Sequence, residues 1–574
     1  MSVTRGLSPR AQSLMARWAL IAPIIAFYVI FFVWPITTVV LRSLSPSGKF
    51  DLQNLVLTLD NFRQLLGDDF LLLVEMRTLR LALFSTIITT ALAFPTAYFI
   101  SRLNKWPASV LLLLILIPFW VSIVVRLFAV TSILSPNGPL NQASLALGFG
   151  EFSLLYSQAG VLVGTVMYLL PYMILILYAG MVAVDGNLLL AARTMGASAS
   201  YSFFRVYLPM VSSSLLSGAL LIFILSLSFF VVPAILGGPR DQTIAVFIQQ
   251  QIDIFRWGIA SAMGVVLLVA TAICYVGVLK AAGGFQAGGV GSVQAKGVSA
   301  ERPFRWSPPM AVAAICTVVT VTILVVPVLF VFPLSIGDTG TVVFPPRGFT
   351  LKWFGEVFTS KIWLGPILQS VVVGTGTATL SVLIGLVLAR VTNSIKSTTG
   401  KAVISGLALA PIIAPAILLA IGIFDVELKL KLTGTTLGLV LAHTVIAAPL
   451  AFALITAAMA GANRGVEEAA WTLGVSRTRT FWAVVVRGIM PSVVGAFAIA
   501  FVTSWDEVVL ALFLQTGPSK TLPVTIYKYL ESGVVPTVPA MASLLIISVV
   551  AIVAVRGVVS SIMARRRALV RERT

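Results

Sequence analysis

Asp506 and Glu507 stand side by side in a hydrophobic run that extends from about residue 492 to 515. Counted from Pro491, Asp506 is about 15 residues along, roughly 22 Å at the α-helical rise and past the middle of a bilayer. A carboxylate at that depth is costly, so it marks a transport pathway or a partner on a neighbouring helix. Adjacent residues on a helix diverge by about 100°, so one acid of the pair is expected to face the pathway. The chemistry open to them is recognition of a cation. Trp120, Tyr168, Tyr172 and Trp505 also lie in apolar runs and are candidates for an aromatic lining around a positive charge. His443 is the only histidine and is read as structural. No nucleophile–base set is present, and no Gly-x₄-Gly-Lys-Ser/Thr phosphate loop, so the chain does not bind ATP by that device.

A second pattern occurs twice. Asp185 to Pro209 reads DGNLLLAARTMGASASYSFFRVYLP, and Asn463 to Pro491 reads NRGVEEAAWTLGVSRTRTFWAVVVRGIMP. In both, an alanine pair precedes a glycine by four residues: Ala191-Ala192 with Gly196, and Ala469-Ala470 with Gly474. Asp185 or Asn463 suits an N-cap, the alanines allow close approach, and the glycine ends the helix and lets the chain turn. One polar amphipathic insert could be an ordinary interfacial helix. Two copies in equivalent places argue for a docking element. Glu467 and Glu468 precede the second alanine pair, whereas Leu190 precedes the first. The second copy also runs four residues further to its proline, read here as one added helical turn.

The elements that position these residues are membrane spans. Of 574 residues, 58% are hydrophobic and 10% charged, with a mean hydropathy of +1.03. That composition excludes a soluble globular chain and predicts an integral membrane protein. Twelve spans are expected, near 18–42, 78–101, 108–132, 160–184, 211–235 and 258–280, then 309–335, 367–391, 401–424, 436–460, 492–515 and 539–562. The basic N-terminus followed by a long apolar run reads as a retained first span. Pro118, Pro411 and Pro415 interrupt spans three and nine. Cys274 and Cys316 lack metal-ligand spacing, and no metal site is expected.

Lys and Arg total 39 against 20 acids, a net charge of +19. In a span-rich chain this reflects basic loops on one membrane face, not nucleic-acid binding. Arg5, Arg10, Arg17, Arg102, Lys105, Arg193, Arg205, Lys296, Arg302, Arg305 and the arginine-rich tail all fall on one side if each half has six spans. By the positive-inside rule that side, with both termini, is cytoplasmic. Pro171 and Pro449, like Gly196 and Gly474, are 278 residues apart. The chain therefore divides into a first half at 1–280, a Gly- and Ala-rich flexible cytoplasmic linker at 281–308 and a second half at 309–574. The halves form a parallel repeat with a pathway between them.

The paired Ala-Ala-x₃-Gly turns resemble the cytoplasmic coupling loop of ATP-binding-cassette importer permeases. Ile117-Pro118-Phe119-Trp120 with Arg126, and Phe230-Val231-Val232-Pro233-Ala234 with Gly237-Gly238-Pro239, resemble one permease subunit of spermidine/putrescine-type importers. Ser504-Trp505-Asp506-Glu507-Val508-Val509, Thr516-Gly517-Pro518, Leu522-Pro523 and Ile526-Tyr527 resemble its partner subunit. The chain thus looks like both subunits fused. The resemblance covers nearly all of both halves and implies an all-α type I importer permease of about twelve helices in a bacterial inner membrane. It implies that Asp185, Ala191, Ala192, Gly196, Glu467, Glu468, Ala469, Ala470 and Gly474 couple to two copies of a separate ATPase, and that a periplasmic solute-binding protein delivers the solute. ATP and Mg are then used by the ATPases, with no cofactor bound directly and no enzymatic activity in this chain. It places Asp506, Glu507, Trp505, Trp120, Tyr168 and Phe229 along the solute pathway and favours a polyamine. Phe229 departs from the pattern, because that position usually holds an acid. Related permeases carry ferric iron, aminophosphonates or thiamine. An ion-gradient-driven secondary transporter is the alternative of a different class, and it would need no coupling loops.

Overall fold

A computed structural model describes residues 21–46, 48, 56–281, 306–395, 397–462 and 464–551. Among these the chain is helical, with no strand. The expected linker, Asn463 and the arginine-rich tail lie wholly or almost wholly outside the described residues.

The helices fall into two matching sets. The first comprises α1 (Ile21–Ser43), α2 (Asp69–Arg102), α3 (Lys105–Leu116), α4 (Ile123–Leu134), α5 (Gln158–Val182), α6 (Gly186–Thr194), α7 (Leu208–Leu227), α8 (Val231–Leu236), α9 (Ile244–Asp253) and α10 (Trp257–Ala281). The second comprises α11 (Pro308–Ser335), α12 (Lys361–Ser394), α13 (Thr398–Leu409), α14 (Ala416–Leu430), α15 (Thr436–Ala460), α16 (Arg464–Thr472), α17 (Met490–Trp505), α18 (Val509–Leu514), α19 (Leu522–Ser532) and α20 (Thr537–Ala551). Each helix of the first set has its counterpart ten places on.

Nine helices among the described residues are long and apolar enough to cross a membrane, or up to eleven if each bent pair is one span. The expected third and ninth spans are broken. α3 gives way to a 3₁₀ turn at Ile117–Trp120 before α4 begins, because Pro118 has no N–H to donate. α13 and α14 are bent by 95° about the stretch containing Pro411 and Pro415. Pro171 and Pro449, by contrast, sit inside unbroken α5 and α15.

Within each half, two long helices run side by side. Gln369 of α12 donates to Thr436 of α15 at 3.1 Å, Thr377 donates to the Val440 carbonyl at 3.4 Å, and Gly385 faces Phe452. The residue numbers rise together, so α12 and α15 are parallel. In the first half Arg80 of α2 donates to Gln158 of α5 at 2.7 Å. Gly385 is required by close approach: a Cβ there would lie 3.0 Å from the Phe452 backbone nitrogen and 3.1 Å from the Ala451 carbonyl carbon. Small residues at such crossings let helix backbones meet.

The two halves exchange their first helices. α1 packs on α14 of the second half, where Gly422 lies against the Pro35 backbone and Arg42 donates to Asp425 at 2.7 Å. The Arg42 guanidinium is 4.9 Å from the centre of the Trp257 ring, which stacks on Phe424. α11 packs in turn on the first half, with a 3.2 Å hydrogen bond between the Thr96 and Thr320 hydroxyls.

Gly385→Val should wedge α12 from α15 and lower the melting temperature of the purified chain in detergent, equivalent to about 1–3 kcal/mol. Gly406→Ala, at a helix position where an added methyl meets nothing within 4 Å, should leave the melt unchanged or raise it. An unaltered melt for Gly385→Val would show that the two helices do not touch there.

Candidate functional site

Asp506 and Glu507 do not lie within a continuous span, as the sequence suggests. α17 ends at Trp505 and α18 starts at Val509, so the two acids occupy the break. The 100° divergence of helix neighbours therefore does not orient them. Glu507 turns to its own half: its carboxylate accepts from the Leu510 N–H at 2.8 Å and caps α18. Asp506 reaches into the other half. One oxygen accepts from the Ile123 N–H at 2.6 Å, and the other lies 3.8 Å from Arg126. The break at Pro118 makes this possible, since it gives α4 a fresh N-terminus with unpaired N–H groups and positive end charge.

Arg126 is almost fully enclosed, with 4% of its side chain exposed against 18% for Asp506. Its guanidinium is 4.8 Å from the centre of the Tyr168 ring. Tyr168 meets Phe229 edge-on at 4.9 Å, and its hydroxyl lies 3.4 Å from that of Tyr172. The structure thus brings Asp506, Tyr168 and Tyr172 together around Arg126, with Phe229 behind Tyr168. Phe229 sits in the break between α7 and α8, as Glu507 sits between α17 and α18. Where the second half caps its short helix with an acid, the first presents a ring. Trp505 stacks on Phe501 of its own helix at 5.8 Å, and Trp120 is 38% exposed in the turn before α4. His443 is buried and hydrogen-bonded to Ser504 at 2.8 Å, within the second half.

Three charged residues of the interior have no role legible in the sequence. Arg126 stands out there only beside Ile117-Pro118-Phe119-Trp120. Asp425 and Glu427 fell just past the span assigned to 401–424, yet α14 continues to Leu430 and buries both. An Asp-x-Glu directly after an apolar run was the available signal. No group of three or more His, Cys, Asp or Glu that could hold a metal occurs among the described residues.

The paired turns are built alike. Asp185 caps α6, accepting from the Asn187 N–H at 2.9 Å. Ala197 N–H bonds to the Ala192 carbonyl and Gly196 N–H to that of Arg193; Val475 and Gly474 repeat this with Ala470 and Trp471, all at 3.0–3.1 Å. Gly196 and Gly474 take positive φ of 91° and 81°, the left-handed conformation that glycine adopts freely. Each is preceded by an exposed apolar side chain, Met195 at 82% and Leu473 at 83%. Ala192 is buried, while Ala191, Glu468 and Ala469 are exposed and Glu467 and Ala470 partly so. The four extra residues of the second copy do not add a helical turn. They lie at a 77° bend between Arg477–Val486 and Met490–Trp505, where the chain turns at Ile489 before Pro491.

Two helical halves that meet at a charged seam and carry the same turn at equivalent places make a multi-pass transporter permease. The chain belongs to the family of binding-protein-dependent transport system inner membrane components, the permeases of ATP-binding-cassette importers, which it matches at residues 81–281 and again at 381–568. It is 29% identical to the spermidine/putrescine transport system permease protein PotB of Escherichia coli (strain K12) over 253 residues, 44% of this chain and 92% of that protein. It is 25% identical to PotC of Haemophilus influenzae over 207 residues, 36% of this chain and 80% of that protein. A solved bacterial ABC transporter involved in import of the acidic polysaccharide alginate aligns over 48% of this chain and 98% of its own, at 18% identity and a TM-score of 0.42, too distant for residue-level comparison.

Asp506→Ala removes both the cap on α4 and the counter-charge of an enclosed guanidinium. It should destabilise the purified chain by about 3–5 kcal/mol, read as a lowered melting temperature. Asp506→Asn, which keeps an acceptor for the Ile123 N–H, should fall less. Arg126→Met added to Asp506→Ala should recover part of the loss. Identical melts for wild type and Asp506→Ala would mean the seam is not formed.

Proposed function

We propose that this chain is a fused importer permease that carries a small organic cation of polyamine type, such as spermidine or putrescine, inward across a bacterial inner membrane. Both termini and both turns face the cytoplasm. A periplasmic solute-binding protein delivers the solute to the outer face. Two copies of an ATP-binding-cassette ATPase dock at the turns, use ATP and Mg, and rock the halves so that access alternates. The permease supplies pathway and coupling and binds no cofactor itself.

One observation carries the solute assignment: an acid of one half reaches a cation and an aromatic face of the other. Arg126 offsets one of the two acids at the α17–α18 break. A solute ammonium offsets the second, or takes the place of the guanidinium beside Asp506 and over Tyr168. Methylene segments suit Phe229 and Tyr168, so alternating ammonium and methylene groups match a seam that is acidic on one side and aromatic on the other. The likeness to PotB and PotC supports the same class of solute.

Reconstituted alone in vesicles, the chain should neither hydrolyse ATP nor take up solute. With its ATPase and binding protein it should take up labelled spermidine when ATP is supplied. Asp506→Asn or Glu507→Gln should raise the half-saturating concentration or abolish uptake, at matched amounts of folded protein and with ATPase docking intact. Uptake driven by an ion gradient without the ATPase would overturn the importer mechanism. Normal polyamine uptake by both single variants and the double variant would remove the acids from the pathway.

The two turns should couple unequally. Glu468 accepts hydrogen bonds or pairs with a basic ATPase residue, and Leu190 does not. Gly474 adopts a conformation that aspartate takes with strain. Gly474→Asp or Glu468→Ala should therefore cost more transport than Leu190→Ala at equal membrane abundance. Equal losses in a vesicle uptake assay would count against this.

A further inference from the structure

We propose that the second half carries a headgroup site for an anionic phospholipid, separate from the solute pathway. Three lysines line one concavity of about 400 Å³: Lys361 at the start of α12, Lys520 in the loop after α18, and Lys528 on α19, with Tyr529 and Ser532 beside them. All three lysines are exposed, and none forms an ion pair among the described residues. Glu531 is the single acid on α19. The concavity therefore keeps a positive balance even where Glu531 offsets one lysine.

Its place is fixed by the parallel packing of α12 and α15. Lys361 begins α12 at the end where Thr436 begins α15, opposite the end from which α15 leads into α16 and its turn. On the orientation proposed above, on which the choice of leaflet rests, this is the outer face. Outer loops are ordinarily poor in lysine and arginine, so three unpaired lysines sharing one hollow there call for an anion.

Two further observations favour a lipid over a soluble anion. Ile362 and Pro366 of α12 also line the hollow. From it an exposed apolar stripe runs down the same helix through Leu364, Leu368, Val372 and Leu383, each more than 40% exposed. A phosphate held by the lysines would leave its acyl chains along that stripe. The equivalent positions of the first half differ. Asp69 begins α2 where Lys361 begins α12, and Asp241 follows Gly238-Pro239 as Lys520 follows Gly517-Pro518. The free lysines are thus a property of the second half, not of the repeat.

The test uses the full chain in detergent, titrated with phosphatidylglycerol or with phosphatidylcholine of the same acyl chains. Bound lipid is read by native mass spectrometry, and folding by thermal melt. Phosphatidylglycerol should be retained in preference. Combined Lys361→Gln, Lys520→Gln and Lys528→Gln should weaken it by on the order of fivefold per lysine, without changing the melt in phosphatidylcholine. The corresponding triple Lys→Arg variant should retain it. Inorganic phosphate at the same concentration should not compete effectively, since it lacks the acyl chains. Equal phosphatidylglycerol retention by wild type and the triple Gln variant would overturn the site, as would full competition by inorganic phosphate, which would mean a free-anion site. Unchanged lipid retention with lost capture of the solute-binding protein would reassign the lysines to protein docking. None of these readouts involves polyamine uptake, so the lipid site and the solute assignment fail independently.

Discussion

A carboxylate withdrawn from water between helices persists only beside donors and a counter-charge. At Asp506 both come from the opposite half of the chain: the first N–H of α4 and the guanidinium of Arg126. Much of the surrounding architecture is arranged to permit that contact. Pro118 has to break the third span so that α4 begins inside the array with unpaired N–H groups. α17 has to end at Trp505 so that the acid leaves its own helix. Tyr168 has to lie beside the guanidinium, backed by Phe229. At Asp506 the polar seam between the halves is thus built on helix ends, where backbone groups are free to bond.

What was legible in the sequence was what depends on local order. Runs of about 20 apolar residues mark spans because a bilayer has one thickness. Gly196 and Gly474 mark turns because positive φ is a single-residue demand. A constant offset of 278 residues exposes the repeat whatever the fold. The breaks were harder to read. Hydropathy sums apolar surface and does not register that Asp506 lies between two helices, so 492–515 looks continuous. The bend before α17 likewise looks like an added turn, because a length difference carries no direction. Partners across the halves were beyond reach, since nothing near Asp506 in the chain points to Arg126, nor anything near Arg42 to Asp425. Glu507 shows the same limit: an acid in an apolar run is visible in the sequence, but its bond to Leu510 depends on where α18 starts.

The repeat is symmetric in backbone and unequal in side chains. Glu507 caps where Phe229 stacks, Glu468 stands where Leu190 does, and Lys361 and Lys520 stand where the first half has Asp69 and Asp241. Apart from the bend before α17, the helices and their breaks are common to both halves, because they satisfy backbone hydrogen bonding. The differences sit in breaks, turns and rims, where side chains meet something other than their own half. A fused chain fixes one copy of each half in every molecule, so each can specialise without the wrong pairing of two identical halves.

The exchange of α1 and α11 bears on how the molecule is made. Arg42 and Asp425 are 383 residues apart in the chain, and ribosomes add about 5–20 residues per second. The first helix therefore waits on the order of tens of seconds in the bilayer before the helix that receives it has been synthesised. Through that interval Arg42, in the last turn of α1, lacks its carboxylate, and Pro35 has no Gly422 to receive it. Assembly of this permease is completed only when the second half closes over a helix inserted long before.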